Sequence, residues 1–243
     1  MIRQANEQDF AQPIMSESAV RIHALKIAYG QDAPFVRFYA DGEGALASIM
    51  DGFCVFHCTK TPNEEWLSFL HMHADVRIIH TYGAFSDLLS VRLRAKEVKL
   101  GEVLSIENVS SETSLHTQMP SIAALHAFLK DNFDKFSPFE QWYVDVSHRV
   151  RHGCCHIAAI QREGTIVSSA MSVAETPPIA LIGGVATAAS HRGKGLASKC
   201  IFELLAMLPQ ARILINPVDE YASRLYKKLG FKPYGTWTEL VLP

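Results

Sequence analysis

Between Val185 and Ser198 the chain reads Val185-Ala186-Thr187-Ala188-Ala189-Ser190-His191-Arg192-Gly193-Lys194-Gly195-Leu196-Ala197-Ser198. A strand ends near Thr187, a small polar loop follows, and a helix opens around Gly195. Gly193 and Gly195 let the backbone approach a ligand with no Cβ in the way. The first N–H groups of a helix lack internal partners and sit at the positive end of its dipole. Such a place holds a phosphate or pyrophosphate. A P-loop reading fails, because it needs glycine where Ala188 stands and Ser or Thr where Gly195 stands. A dinucleotide fingerprint would have to be Gly193-x-Gly195-x-x-Ser198. It comes about five residues late, and the next strand ends in Asn216 where an acid is expected.

A second group of reactive side chains is Cys54, His57 and Cys58, followed by His71 and His73, all capable of binding metal. The same stretch, GFCVFHC, also alternates as a strand does. That places Cys54, Phe56 and Cys58 on one face and His57 on the other. No second paired-ligand motif follows at finger spacing, so the expectation is core packing and no metal. With Cys154, Cys155 and Cys200 the cysteines number five. An odd count of this kind reads as reduced, mostly buried thiols.

Arg192-x-x-Gly195-x-Ala197, after a strand and opening a helix, resembles the R/Q-x-x-G-x-G/A signature of the GNAT N-acetyltransferase superfamily. A second element lies in the right order with a strand between: Ala222-Ser223-Arg224-Leu225-Tyr226-Lys227-Lys228-Leu229-Gly230-Phe231 is similar to the superfamily's A-x-x-L-Y-x-x-L-G-F ending. The match spans residues 121–243. It implies acetyl-CoA in the opening between the strand that ends at Val185-Ala186-Thr187 and the one that ends at Asn216. The backbone amides of Gly193, Lys194, Gly195, Leu196, Ala197 and Ser198, beside Arg192, would cradle its pyrophosphate. The N–H near Val185 would polarise the thioester carbonyl, and Tyr226 would protonate the leaving thiolate. Two positions depart from the pattern. Asp219 stands where an asparagine often contacts CoA. The strand that carries a glutamate base in some members begins here Ile179-Ala180-Leu181, with Glu175 the nearest acid. Without Glu175, a water chain, Asp145 or His148 would have to take the amine's proton. None of Cys154, Cys155 and Cys200 has an evident base partner, so direct transfer to an amine is expected rather than an acyl-enzyme. The alternative is a non-catalytic acyl-CoA-binding sensor on the same fold.

These residues need elements to position them. Apolar spacing predicts helices over 16–28, 63–73 and 84–89 and strands over 35–40, 45–49, 53–57, 76–80 and 91–100. Residues 101–120 turn to Ser, Thr, Glu and Asn before Pro120 and read as a connector. Helices over 121–132 and 138–150 follow, then strands 155–161, 166–175 and 179–188, helix 195–208, strand 212–216, helix 221–229 and strand 236–242. The fold class expected is α/β (α+β): a GNAT-like mixed, splayed sheet with flanking helices in 116–243, preceded by a smaller α/β unit in 1–115. The element order of the first unit echoes the second, but Thr59-Lys60-Thr61-Pro62-Asn63 replaces the glycine loop. It is read as a degenerate GNAT-like unit that lost its CoA site and walls the acceptor pocket or offers a homodimer surface.

With 243 residues, 48% of them hydrophobic and 20% charged, the composition is that of a folded protein, not a disordered or fibrous one. No apolar run approaches the roughly 18 residues of a membrane helix. The polar start, MIRQANEQDFAQ, lacks a signal-peptide core, which predicts a cytoplasmic protein. The net charge of −2 excludes a broad electrostatic case for nucleic acid or anionic membrane. Residues 1–116 carry a net −5 and 117–243 a net +3, so an anionic ligand is better received by the second half. The acceptor amine is not readable from the sequence.

Overall fold

The computed structural model describes residues 1–11, 13–107 and 119–243. These form two compact units: residues 1–105 with 216–243, and residues 106–215. The boundary expected at 115/116, and most of the expected connector, lie outside the described residues. Among the described residues no helix is long and apolar enough to cross a membrane.

The first unit contains β1 (Arg3–Gln4), α1 (Glu17–Tyr29), β2 (Arg37–Ala40), β3 (Leu46–Met50), β4 (Phe53–His57), α2 (Glu64–Met72), β5 (Ile78–Tyr82), α3 (Ser86–Arg92) and β6 (Glu97–Glu107), whose last two residues cluster with the second unit. Strands β1 to β4 run antiparallel to their neighbours, and α2 then crosses over so that β5 lies parallel to β4. The period-2 pattern fixes which face each side chain serves. Phe38, Ala40, Leu46 and Val55 pack on Ile22 of α1. Ala47, Ile49, Cys54, Phe56 and Cys58 pack on Trp66, Leu67 and Leu70 of α2. Two helical layers thus cover one sheet. Cys54, Phe56 and Cys58 share the core face predicted for them, with His57 turned to the other side.

One expected strand is displaced. Val91 and Arg92 belong to α3, and β6 begins only at Glu97 and continues through Glu107 into the stretch read as connector. Its partner explains this: β6 is antiparallel to β11 (Lys232–Val241), which also pairs antiparallel with β5. The last strand and α7 (Glu220–Lys228) therefore complete the first unit.

The second unit holds α4 (Ile122–Asn132), α5 (Phe139–Arg151), β7 (Ile157–Arg162), β8 (Thr165–Glu175), β9 (Ile179–Thr187), α6 (Leu196–Met207) and β10 (Arg212–Ile215). Strands β7, β8 and β9 form an antiparallel meander, and α6 crosses over so that β10 lies parallel to β9. Leu125, Leu129 and Val146 of the first two helices pack on Ile157, Ala159, Met171 and Ala186. Both units thus share one topology, a three-strand meander followed by a helix and a parallel strand.

Candidate active site

The parallel pair β9 and β10 stays in register only from Ile179↔Arg212 to Ile182↔Ile215. All four residues of β10 are used in that pairing, and β9 runs five residues beyond its end, to Thr187, paired there only with β8. Opposite, the register with β8 jumps from Met171↔Gly183 to Ser169↔Ala186. Two residues of β9, Gly184 and Val185, thus oppose the single Ala170, which is a β-bulge. Gly184 adopts φ +57, and a Cβ there would meet Met171 Cγ at 2.8 Å. Only glycine fits. The Ser169 hydroxyl donates to Gly184 O at 2.8 Å and the Ser168 hydroxyl to Ala186 O at 3.0 Å, fixing the carbonyls on both sides of Val185. A bulge leaves its extra residue unpaired and disrupts the ladder locally. Gly184 was not among the predicted site residues, although a Gly183-Gly184 pair inside an apolar strand is the signal for a bulge.

Beyond Thr187 a 3-10 turn over Ala189–His191 leads into the loop. Arg192 Nε donates to Thr187 O at 3.1 Å and Lys194 Nζ to Ser190 O at 3.3 Å, so both cationic side chains brace the loop while remaining exposed. Gly193 and Gly195 have φ +75 and +72, and nothing lies within 4 Å of a Cβ at either. Gly195 is the N-cap of α6 without a side-chain cap, and the helical bonding begins with Lys199 N to Gly195 O at 3.1 Å. The N–H groups of Leu196, Ala197 and Ser198 are therefore left for a ligand. This open cradle, with four cationic or imidazole side chains at His191, Arg192, Lys194 and Lys199 in its sequence, fits a pyrophosphate.

Asn216, Asp219 and Tyr226 fall in the other unit. Asn216 Nδ2 donates to Glu17 Oε1 at 2.9 Å, leaving a buried Oδ1 without a partner. Asp219 caps α7, its Oδ1 accepting from Ala222 N at 2.7 Å. Asn and Asp are near-equal caps, which accounts for an aspartate at this position. At the other end of α7, Phe231 N bonds Tyr226 O and Gly230 N bonds Lys227 O, both at 3.1 Å, with Gly230 at φ +97. This pair of bonds is a Schellman closure. It brings the Phe231 ring 6.1 Å from that of Tyr226, so the Leu-Gly-Phe ending is the device that orients the tyrosine. Tyr226 is buried, and burial followed by the Asp219 charge pushes its phenol above the ordinary value. It is a protonated donor at neutral pH.

Glu175 sits elsewhere. Its register partner is Ala180, five positions before Val185, which is about 16 Å along the strand. Its carboxylate accepts from His156 Nδ1 at 2.8 Å and from the Ser172 hydroxyl. Burial raises its pKa, but those two donors outweigh burial and hold it below the usual range. His156 is raised in turn by its bond to Glu175, against the effect of burial. This closed pair does not suit a base for an amine attacking at Val185. Asp145 is likewise engaged by Arg149 Nη2 at 2.6 Å. Burial pushes the thiols of Cys155 and Cys200 up to about 11, far from nucleophilic thiolates. Among the described residues no three His, Cys, Asp or Glu side chains converge on a metal position.

The profile of the Acetyltransferase (GNAT) family matches residues 115–231. Of curated proteins, none matches the sequence. Solved structures share the fold over the whole chain. A Drosophila protein superposes with TM-score 0.69 at 10% identity, covering 100% of this chain and 98% of that one. The GCN5-related N-acetyltransferase from Sphaerobacter thermophilus gives 0.58 at 16% identity, covering 100% and 96%. A tandem GNAT protein from the clavulanic acid biosynthesis pathway, solved without AcCoA, gives 0.54 at 12% identity, covering 93% and 88%. The N-terminal half is thus GNAT-like in fold as well.

Proposed function

We propose that this protein, in which residues 115–231 form a domain of the acetyltransferase (GNAT) family, transfers an acetyl group from acetyl-CoA to an amine by direct attack. One observation carries the reading: β9 outruns β10 through a bulged Gly184-Val185 and leads straight into the glycine-bearing, uncapped start of α6. Thioester, pantetheine and pyrophosphate need such features in that order along one strand and loop.

Acetyl-CoA supplies the acyl group as an activated thioester. The amides of Gly193 to Ser198 hold the diphosphate, with Arg192 and Lys194 adding charge. The freed edge of Val185, Ala186 and Thr187 pairs with the pantetheine amides as an added strand. As the amine nitrogen attacks the carbonyl carbon, the Val185 N–H stabilises the oxyanion. When the C–S bond breaks, Tyr226 gives its phenolic proton to the thiolate, and the proton lost by the amine passes to water. Asn216, just after β10, and Asp219, where the resemblance has an asparagine, are assigned to the cofactor, and Glu175 to holding His156. The acceptor is a primary amine of a small molecule or peptide, and the segment after β4 in the N-terminal unit has no glycine loop like that before α6.

Release of free CoA thiol from acetyl-CoA, measured against a panel of amines, tests the reading. Amine-dependent release is expected. Tight CoA binding without turnover on any amine would replace the enzyme by an acyl-CoA sensor.

A further inference from the structure

The first unit contains a cavity of about 240 Å³ lined by residues of that unit alone, among them Met15, Glu17, His57, Tyr82, Tyr234 and Gly235. His57 ends β4 and Tyr82 ends β5. The cavity therefore lies at the carboxyl ends of a parallel strand pair, where open α/β sheets bind ligands. Its chemistry differs from that of the α6 loop. The segment after β4 has no glycine, and the start of α2 is closed by Asn63 Oδ1 accepting from Trp66 N at 3.0 Å. The two acids in the first turn of α2, Glu64 and Glu65, also disfavour a phosphate there.

What the cavity does offer is one carboxylate, already ion-paired with Arg21, and one imidazole. Burial raises the Glu17 pKa, but Arg21 and His80 outweigh it and pull the group down to about 2, so it stays ionised. Its Oε1 accepts from Arg21 Nε and Asn216 Nδ2, and its Oε2 meets His80 Nε2 at 2.7 Å. A carboxylate has about four acceptor positions, which leaves one on Oε2. His57 is only 6% exposed, and burial, followed by the neighbouring His23, lowers it to about 4, so it is neutral. Its Nδ1 is held by the Ser16 hydroxyl at 2.9 Å, while Nε2 has no partner among the described residues. The only charged lining side chain is thus an acid, and the wall around it combines Met15, Val103, Tyr82 and Tyr234 with the hydroxyls of Ser16, Thr59 and Thr236. Aromatic faces and a carboxylate together favour an organic cation.

We infer that this cavity is a second ligand site, separate from the acyl-transfer loop, for a small primary ammonium with an aryl or alkyl body. Glu17 accepts from the ammonium, His57 Nε2 meets a polar group beside it, and Tyr82, Tyr234 and Met15 hold the apolar body. The site stands whether or not the acyl-transfer reading does.

Titration calorimetry of the full chain with 2-phenylethylamine, and in parallel with 3-phenylpropionate, tests the assignment. Gly235→Leu is the blocking variant. The backbone φ there is not positive, and a Cβ would meet only Tyr82 Cε2 at an ordinary 3.5 Å, so this wall position accepts a side chain. Thr59→Trp, at an exposed position on the rim, is the second variant if the first fails to fold. The expected result is saturable binding of the amine, at least tenfold weaker in the blocked variant, and no binding of the carboxylate over the same range. Absence of amine binding to the wild type, equal binding of the carboxylate, or unchanged affinity in a folded blocked variant would each overturn the proposal.

Discussion

Placing a methyl group at Gly184 tests the bulge on which the oxyanion assignment depends. At φ +57 an alanine is in the left-handed region, which costs about 1–2 kcal/mol. Its Cβ would also come to 2.8 Å from Met171 Cγ and 3.1 Å from Sδ. Overpacking of this kind costs about 1–3 kcal/mol, and the flexible thioether keeps it near the lower end. Gly184→Ala should therefore destabilise by about 2–4 kcal/mol, which at roughly 2–4 °C per kcal/mol is a fall in Tm on the order of 4–16 °C. Gly193→Ala is the matched control: φ is +75, but nothing lies within 4 Å of the added atom, so only the conformational cost of about 1–2 kcal/mol applies. Differential scanning calorimetry reads the pair, and initial rates of thiol release read the function. Because the methyl group pushes β8 and the bulge apart, kcat in the Gly184 variant should drop on the order of tenfold or more. A melting point no lower than that of Gly193→Ala, together with an unchanged kcat, would refute the bulge as the positioning device.

Other outcomes are expected from the same geometry. Tyr226→Phe should keep CoA affinity while kcat falls about tenfold or more, and an unchanged kcat would remove the phenol from the mechanism. Gly230→Ala, at φ +97 in the closure of α7, should cost about 1–2 kcal/mol in urea unfolding and lower kcat by letting the Tyr226 ring drift from Phe231. The Glu175–His156 pair predicts a pH dependence of stability. Glu175 is lowered from 4.5, so its contribution is present above that value and fades as pH falls through the folded pKa. His156 is raised from 6.5, so its contribution is complete below that value and is lost as pH rises through the folded pKa. The wild-type urea midpoint should therefore fall between pH 5.5 and 9 by more than that of His156→Gln, and parallel curves would dismiss the pair.

Local chemistry made parts of this structure legible. Gly193 and Gly195 are adjacent to a helix start and act through their own backbone, so the cradle could be read from a few consecutive residues. The Leu229-Gly230-Phe231 ending could likewise be read, because a Schellman closure is built within six residues. Alternation in GFCVFHC separated Cys54, Phe56 and Cys58 from His57 for the same reason. What the sequence hid was pairing at a distance. A period of two marks Lys232–Val241 as extended, but nothing local tells that it inserts between β5 and β6, about 140 residues away. The same pairing extends β6 through residues whose Ser and Glu content reads as linker. Glu175 looked available for catalysis because its partner His156 meets it only through the β7–β8 pairing.

Binding of acetyl-CoA, measured by titration calorimetry on the wild type and on Gly195→Glu, addresses the central claim most directly. Nothing lies within 4 Å of a Cβ at Gly195, so the new carboxylate projects into the cradle rather than into the protein. At about 4 Å from a phosphate charge its repulsion is on the order of 4 kcal/mol at an effective dielectric of 20. That is roughly three decades in the dissociation constant. Saturable wild-type binding that this variant abolishes, with the fold retained by circular dichroism, is the predicted result. Absence of wild-type binding, or a variant that binds acetyl-CoA as well as the wild type, would contradict the assignment of the α6 loop to the cofactor.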